Sequence, residues 1–478
     1  MCGIVACIGN YEQTDLIDRL SIIKHRGPDD EQYLFLDKFG CGFVRLSIID
    51  VDNGAQPITN ENNTIIVMCN GEIYNYKDLT LELKNKGHIF KTSSDVEVLI
   101  HLYEEYGVKC IDYLQGMYAF VIYDAIECRL VVGRDHIGLK PLFYEVSKNN
   151  IFISSELKCF CGTNDDVASL MEKNLFGFIL DTESTVYENV KQVKPGCVFY
   201  VDYPLLSRIN HYEANYNIKE SSLEDCLKKA VETHLLNSDV DVGISLSGGV
   251  DSSLIAVLCK EVRADVNTYT LTTTGGSEDA YYSRKLARKY GFNHTEITID
   301  SVPAIDNNFN YALDYVLSDS GVFNSKGDIV VMRFYEKVAK YVKVMLSGDG
   351  GDELFGGYWM HEKPLGFKDK LLLNCFDDTF KCWLDRKFPE NNECVGAKSV
   401  LDILFTSALP NYHLWTLDRS SMRYGVEARV PYLDVNVMYN VLNKESRIGK
   451  KLLNSMYLKY LPDYIVNRSK VGFCDALG

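Results

Sequence analysis

The chain has 478 residues, more than one ordinary core of roughly 100 to 200 residues accommodates, so two globular units are expected. Its 46% hydrophobic and 24% charged residues, with 34 Gly and 11 Pro, exclude collagenous and disordered classes. A formal net charge of −16 disfavours wholesale binding to nucleic acid or to an anionic membrane surface, so no nucleic-acid or membrane partner is expected.

The amino terminus, MCGIVACIGNYEQTD, has no basic lead and only a short apolar run, and no later run approaches the roughly 18 apolar residues of a membrane helix. Fifteen cysteines are scattered without regular spacing, which fits small buried hydrophobes in a reducing compartment. A cytoplasmic location is the expectation.

Residues 1 to about 200 hold short β-rich runs, among them Thr64 to Cys69, Tyr118 to Tyr123 and Leu130 to Gly133, separated by Gly and Asn turns. Helical stretches at 75–86 and 95–106 interrupt them, which predicts sheets with helices packed on them. The stretch from Val193 to Asn217, with its prolines, reads as the end of one unit and a connection to the next. Ser221 and Glu224 then form a capping-box pattern that opens a helix to about Leu236. From Asp241 onward apolar strands (DVGISL, VNTYTLT, HTEITI, VKVMLS) alternate with helices at 250–262 and 279–290. Alternation of this kind predicts a mainly parallel sheet with its ligand site beyond the carboxyl ends of the strands.

Two loops lie at such strand ends. SGGVDSS, 247 to 253, follows a strand and opens a helix, so its glycines admit an anion close to unpaired helix N–H groups. It lacks the Gly-Lys-Ser/Thr ending of a Walker loop. Asp251 brings a carboxylate to a phosphate site, an arrangement that calls for Mg²⁺. SGDGGDELFGGY, 347 to 358, adds Asp349, Asp352 and Glu353. At the other end of the chain, removal of Met1 leaves Cys2 with a thiol and a free α-amine. An amine with a pKa of roughly 7.7 to 8 serves as general base for that thiol.

Taken together, these motifs carry a resemblance. The paired loops, with WTLDRSSMRYGVEARVPYLD at 415–434 and RSKVGF at 468–473, resemble ATP-dependent synthetases with a pyrophosphatase-type loop, and in particular the asparagine synthetase family. CGI at 2–4, HRGPD at 25–29, RLSIID at 45–50, NGEIYN at 70–75, SSDVEV at 93–98 and GRDHIGLKPLFY at 133–144 resemble class II glutamine amidotransferases.

The resemblance implies an α/β two-domain protein. An N-terminal nucleophile hydrolase αββα sandwich over 2–200 is followed by a Rossmann-like adenine nucleotide α-hydrolase domain over 215–478. The expected partners are glutamine, aspartate and ATP, with Mg²⁺, and a homodimer is kept among the expectations. Cys2 would release ammonia from glutamine, with Asn70 and Gly71 as oxyanion donors. Arg45, Leu46, Ser47, Ile48, Ile49, Glu72 and Asp95 would complete the glutamine pocket, Arg45 on the α-carboxylate and Asp95 on the α-ammonium.

On the same basis, Leu246, Ser247, Gly248, Gly249, Asp251, Ser252, Ser253, Leu271, Ser347 and Gly348 would bind ATP. Asp251 and Asp352 would hold the metal, and Lys470 the pyrophosphate. Asp349 takes a position where relatives often carry a longer glutamate, assigned to deprotonating the incoming ammonia. Arg419, Glu427 and Arg429 are read as structural. The segment 318–331 is a poor match to the family's acceptor-shaping stretch, so amidation of another carboxylate, such as a sugar acid, a peptide or a lactam-forming substrate, is the alternative reading.

Overall fold

The computed structural model describes residues 2–160, 164–176, 178–299, 326–357, 404–442 and 449–469. The first unit is built from β1 (Gly3–Gly9), β3 (Phe39–Arg45), β5 (Ile65–Ile73), β6 (Gly116–Asp124) and β7 (Arg129–Arg134), together with shorter strands. They form two six-stranded antiparallel sheets, with β1 and β3 central to one and β5, β6 and β7 to the other. The two-residue period of a strand explains the layering. Ile4, Ala6 and Ile8 of β1 meet Ile66 and Met68 of β5 in the core between the sheets. Val5 and Cys7 point the other way, onto Leu16 and Leu20 of α1 (Gln13–Ile22). Val67 and Cys69 likewise face α2 (Tyr76–Asn85) and α3 (Val98–Tyr106). The result is the expected αββα sandwich, and strands buried on both faces explain their nearly continuous apolar runs.

The expected connection is different in detail. Cys197–Asp202 (β11) pairs with β7, and Asn210–Glu213 (β12) pairs with β11, so the second sheet extends to Glu213 and beyond residue 200. Of the two prolines that suggested a linker, Pro195 precedes β11 and Pro204 sits in the turn between β11 and β12. The next helix, α5 (Leu223–Leu236), is capped one residue later than the sequence pattern suggests: Ser222 Oγ accepts from Asp225 N at 3.1 Å.

The second unit has five strands in the order β15-β14-β13-β16-β17, every adjacent pair parallel. They are β13 (Val242–Ser245), β14 (Asn267–Thr273), β15 (Asn293–Ile299), β16 (Val344–Leu346) and β17 (Glu427–Arg429). Helices α6 (Val250–Val262) and α7 (Glu278–Tyr290) make the crossovers. From β13 the chain winds outward through β14 and β15, then returns to the other side of β13 with β16. The loops after β13 and β16 therefore flank the topological switch point, where open α/β sheets bind ligands.

The two units share one core: Leu46, Ile48, Ile49, Met117, Ile137 and Leu139 of the first pack with Leu246, Met422, Val430, Tyr432 and Leu433 of the second. No helix among the described residues is long and apolar enough to cross a membrane.

Candidate active site

Cys2 stands just before β1 and continues the face of Ile4, Ala6 and Ile8, and Asn70 continues the Ile66–Met68 face of β5. The strand period thus delivers both to one end of the inter-sheet core. Cys2 N lies 2.8 Å from Asn70 Oδ1, and Cys2 Sγ lies 4.0 Å from the Leu46 carbonyl oxygen. Burial pushes the Cys2 thiol above its ordinary value, so it is held protonated and needs a base to react.

Asn70 Nδ2 is buried and has no hydrogen-bond partner among the described residues. A buried amide N–H without an acceptor is costly unless a ligand supplies one. Gly71 follows with φ +139°, where an added Cβ would lie 1.9 Å from the Met117 carbonyl oxygen, so only glycine lets β5 and β6 close here.

Asp95 opens a short 3-10 turn leading into α3. Its Oδ2 accepts from Ile73 N at 2.7 Å, beside the NGE segment. Burial pushes the carboxyl up to about 6, against the opposing Ile73 bond. Glu72 is also buried, with its carboxyl driven well above the usual range by desolvation and by Glu427 and Asp95. Arg429 of the second unit stands 3.5 Å from it.

Arg45 departs from the simple expectation of a free cation. Its Nη1 donates to Val51 O at 3.0 Å, and its Nη2 to Ile49 O at 3.0 Å and Asp50 O at 2.7 Å. The guanidinium thereby shapes the segment that carries Leu46, Ser47, Ile48 and Ile49. Ser47 N is held by Asp29 Oδ2 at 2.8 Å, and the Ile48 carbonyl accepts from Asp239 N of the second unit at 2.9 Å.

The second cluster lies at the switch point. Gly249 is the N-cap of α6, and Asp251, Ser252 and Ser253 lie in its first turn. Ser252 Oγ accepts from Ser247 N at 3.1 Å and so ties the loop across Gly248 and Gly249. Ser253 is fully buried, and its Oγ has no partner among the described residues. The loop after β16 approaches so closely that a Cβ on Gly348 would lie 2.8 Å from Ser252 N. Pairing of β13 with β14 ends at Ser245–Tyr269. The β14 edge at Leu271 therefore faces the loop, while the Leu271 side chain packs in a core with Ile297 and Phe334.

Ser347 Oγ donates to Asp349 Oδ2 and accepts from Asp349 N at 3.3 Å. Desolvation raises its carboxyl above the ordinary value, opposed by the Ser347 bond and aided by Glu353. Lys470 lies outside the described residues, as does 318–325 of the acceptor-shaping stretch.

Three residues enter the site that sequence reasoning missed. Lys450 joins Asp251 and Asp352, its Nζ bonded to Asp251 Oδ2 and 2.5 Å from Asp352 Oδ1. Burial works against its charge, yet the two carboxylates raise its pKa. Tyr457 donates to Asp251 Oδ1 at 2.7 Å. Arg468 donates to Ser247 O at 3.0 Å and to Asp279 Oδ1 at 2.5 Å, and so fastens the loop to α7. No local pattern marks Lys450 or Tyr457, because Asp251 lies 199 and 206 residues away from them.

Asp251 and Asp352 therefore converge on one cation. Two oxygen donors in this relation suit a hard divalent ion with phosphate ligands, so the residues fit Mg²⁺.

A thiol with an unpaired amide donor in one unit, and two acidic glycine loops at a parallel-sheet switch point in the other, define a two-site amide-transferring class. Residues 1–212 match the family model of the glutamine amidotransferase domain, and residues 222–478 match that of asparagine synthase. The chain belongs to the asparagine synthase family.

Relatives agree along nearly the whole length. "Asparagine synthetase [glutamine-hydrolyzing] 1" of Bacillus subtilis is 29% identical, the match covering 99% of this chain and 87% of the relative. "Asparagine synthetase [glutamine-hydrolyzing] 2" of the same organism is 30% identical over 94% of this chain and 68% of its own. "Asparagine synthetase [glutamine-hydrolyzing] 1" of Arabidopsis thaliana is 29% identical over 100% of this chain and 78% of its own.

Proposed function

We propose that the chain is a glutamine-hydrolysing asparagine synthetase, which converts aspartate, glutamine and ATP to asparagine, glutamate, AMP and pyrophosphate. With Met1 removed, the α-amine of Cys2 takes the thiol proton as Sγ attacks the side-chain carbonyl of glutamine. Asn70 Nδ2 and the Gly71 N–H stabilise the oxyanion, ammonia leaves, and water hydrolyses the thioester to glutamate. Asp95 holds the α-ammonium of the substrate. Arg45 supplies positive charge near its α-carboxylate while ordering the 46–49 segment.

In the second unit the loops at 246–253 and 347–348 bind ATP, with the main chain at Leu271 beside the adenine. The aspartate β-carboxylate attacks the α-phosphorus, and pyrophosphate departs toward Lys450 and Lys470. Asp251 and Asp352 hold Mg²⁺, which offsets phosphate charge when bound. Ammonia then displaces AMP from the acyl carbon, with Asp349 placed to accept a proton. The shared apolar core between the units suits passage of neutral ammonia. A cytoplasmic location and a homodimer belong to the same reading.

One observation carries this proposal: the unpaired, buried amide of Asn70 beside Cys2 occurs in the same chain as two carboxylates gathered on one cation at the switch point. The test measures pyrophosphate release and asparagine mass with MgATP, aspartate and either glutamine or ammonium. Both products should form with either donor, and Cys2→Ala should lose only the glutamine-driven rate. Glutamine hydrolysis without aspartate-dependent pyrophosphate release would overturn the aspartate assignment.

A further inference from the structure

On the outer face of the first unit, two imidazoles and a carboxylate converge. His88 lies in the loop after α2, and His101 and Glu104 lie one turn apart on α3. Glu104 Oε2 stands 2.9 Å from His101 Nδ1 and 3.3 Å from His88 Nδ1. One donor atom from each of the three residues falls within 4.8 Å of the other two. A tetrahedral ion with bonds of about 2.0–2.1 Å holds its donors about 3.3 Å apart, close to both separations from Glu104 Oε2.

The surroundings of His88 and Glu104 are also those of ligands. His88 Nε2 lies 3.1 Å from Glu105 Oε1, the carboxylate placement that orients a ligating imidazole through its second nitrogen. Asn60 Nδ2 donates to Glu104 Oε1 at 3.1 Å, which leaves Oε2 directed at the imidazoles. His101 is 1% exposed and held between the His88 and Phe90 rings, so its donor is placed in advance. Glu82 and Glu105 lie 3.5 and 3.1 Å from the Lys86 ammonium, which leaves Glu104 to face the two imidazoles.

We propose that His88, His101 and Glu104 bind a transition-metal dication of the zinc class, with its remaining position open to water. Two imidazoles select such an ion over Mg²⁺, so this site is independent of the ion that accompanies ATP and of the reaction assigned above. It ties the loop after α2 to α3, the helix that continues directly from the turn of Asp95.

Full-length protein stripped with a chelator is titrated with Zn²⁺ by calorimetry and with Co²⁺ by absorption spectroscopy. One equivalent should bind with a nitrogen–oxygen Co²⁺ spectrum free of thiolate charge transfer, and Zn²⁺ at a hundred times Kd should raise Tm. His88→Ala and, separately, the shape-conserving Glu104→Gln should each weaken binding about 10- to 100-fold, while glutamine hydrolysis by the stripped protein stays unchanged. Absence of a stoichiometric equivalent, a thiolate spectrum, or binding that survives both substitutions overturns the proposal.

Discussion

At the scale of single residues, Asp95 makes a pH-dependent claim. Burial raises its carboxyl to about 6, so it is mostly neutral at pH 5 and mostly charged at pH 7. An α-ammonium requires the charged form. The glutamine KM is therefore expected to fall about tenfold between pH 5 and pH 7, in line with the ionised fraction of Asp95. Steady-state glutaminase assays check this, and Asp95→Asn should bind weakly with a flat KM profile. The residues proposed for this pocket could be named from the sequence because each sits in a short contiguous motif. The second task of Arg45, holding the carbonyls of Ile49, Asp50 and Val51, was not, because a loop's path is a tertiary property.

At the scale of elements, the strand-loop-helix units around 246–262 and 344–355 could be read directly: an apolar run, glycines and a helical period follow one another in each. Lys450 escaped that reading, although it supplies the positive charge between the two loops. Replacing it with alanine leaves Asp251 and Asp352 facing each other without their shared ammonium, and removes a cation from the phosphate side. Lys450→Ala should lower pyrophosphate release by about 10² or more with glutamine or ammonium, while glutaminase turnover stays within about twofold. A parallel loss of glutaminase turnover would instead indicate a general folding defect. The shift of the α5 cap from Ser221 to Ser222 follows the same logic, since adjacent serines are equivalent in pattern and only packing chooses between them.

At the scale of the whole molecule, Arg26 connects the units. It is fully buried; its Nε donates to Cys2 O at 3.0 Å, its Nη1 reaches Glu156 at 2.8 Å, and both Nη atoms bind Asp418 of the second unit at 2.8 and 3.2 Å. Arg26→Met keeps much of the side-chain volume but leaves two buried carboxylates short of their partner. The expected cost is about 3–5 kcal/mol, read as a lower urea midpoint, with glutamine-driven synthesis reduced more than ammonium-driven synthesis because the fork also anchors Cys2. The Arg429–Glu72 contact and the bond from His136 Nε2 to the Leu433 carbonyl oxygen, 2.7 Å, join the same interface.

The sequence by itself determined the two units, their order, the αββα and parallel-sheet classes, and the contiguous motifs from which both sites are proposed. Strand period, helix period and glycine-rich turns are local consequences of backbone geometry, so they survive in one dimension. Tertiary structure alone decided that the second sheet of the first unit extends to Glu213, that Lys450 stands between Asp251 and Asp352, that Arg26 grips Asp418, and that His88 meets His101 and Glu104. The Lys450 and Arg26 contacts are charge pairings across long stretches of chain. Coulomb attraction and desolvation depend on distance and burial in the folded state, and neither quantity is written in the spacing of residues.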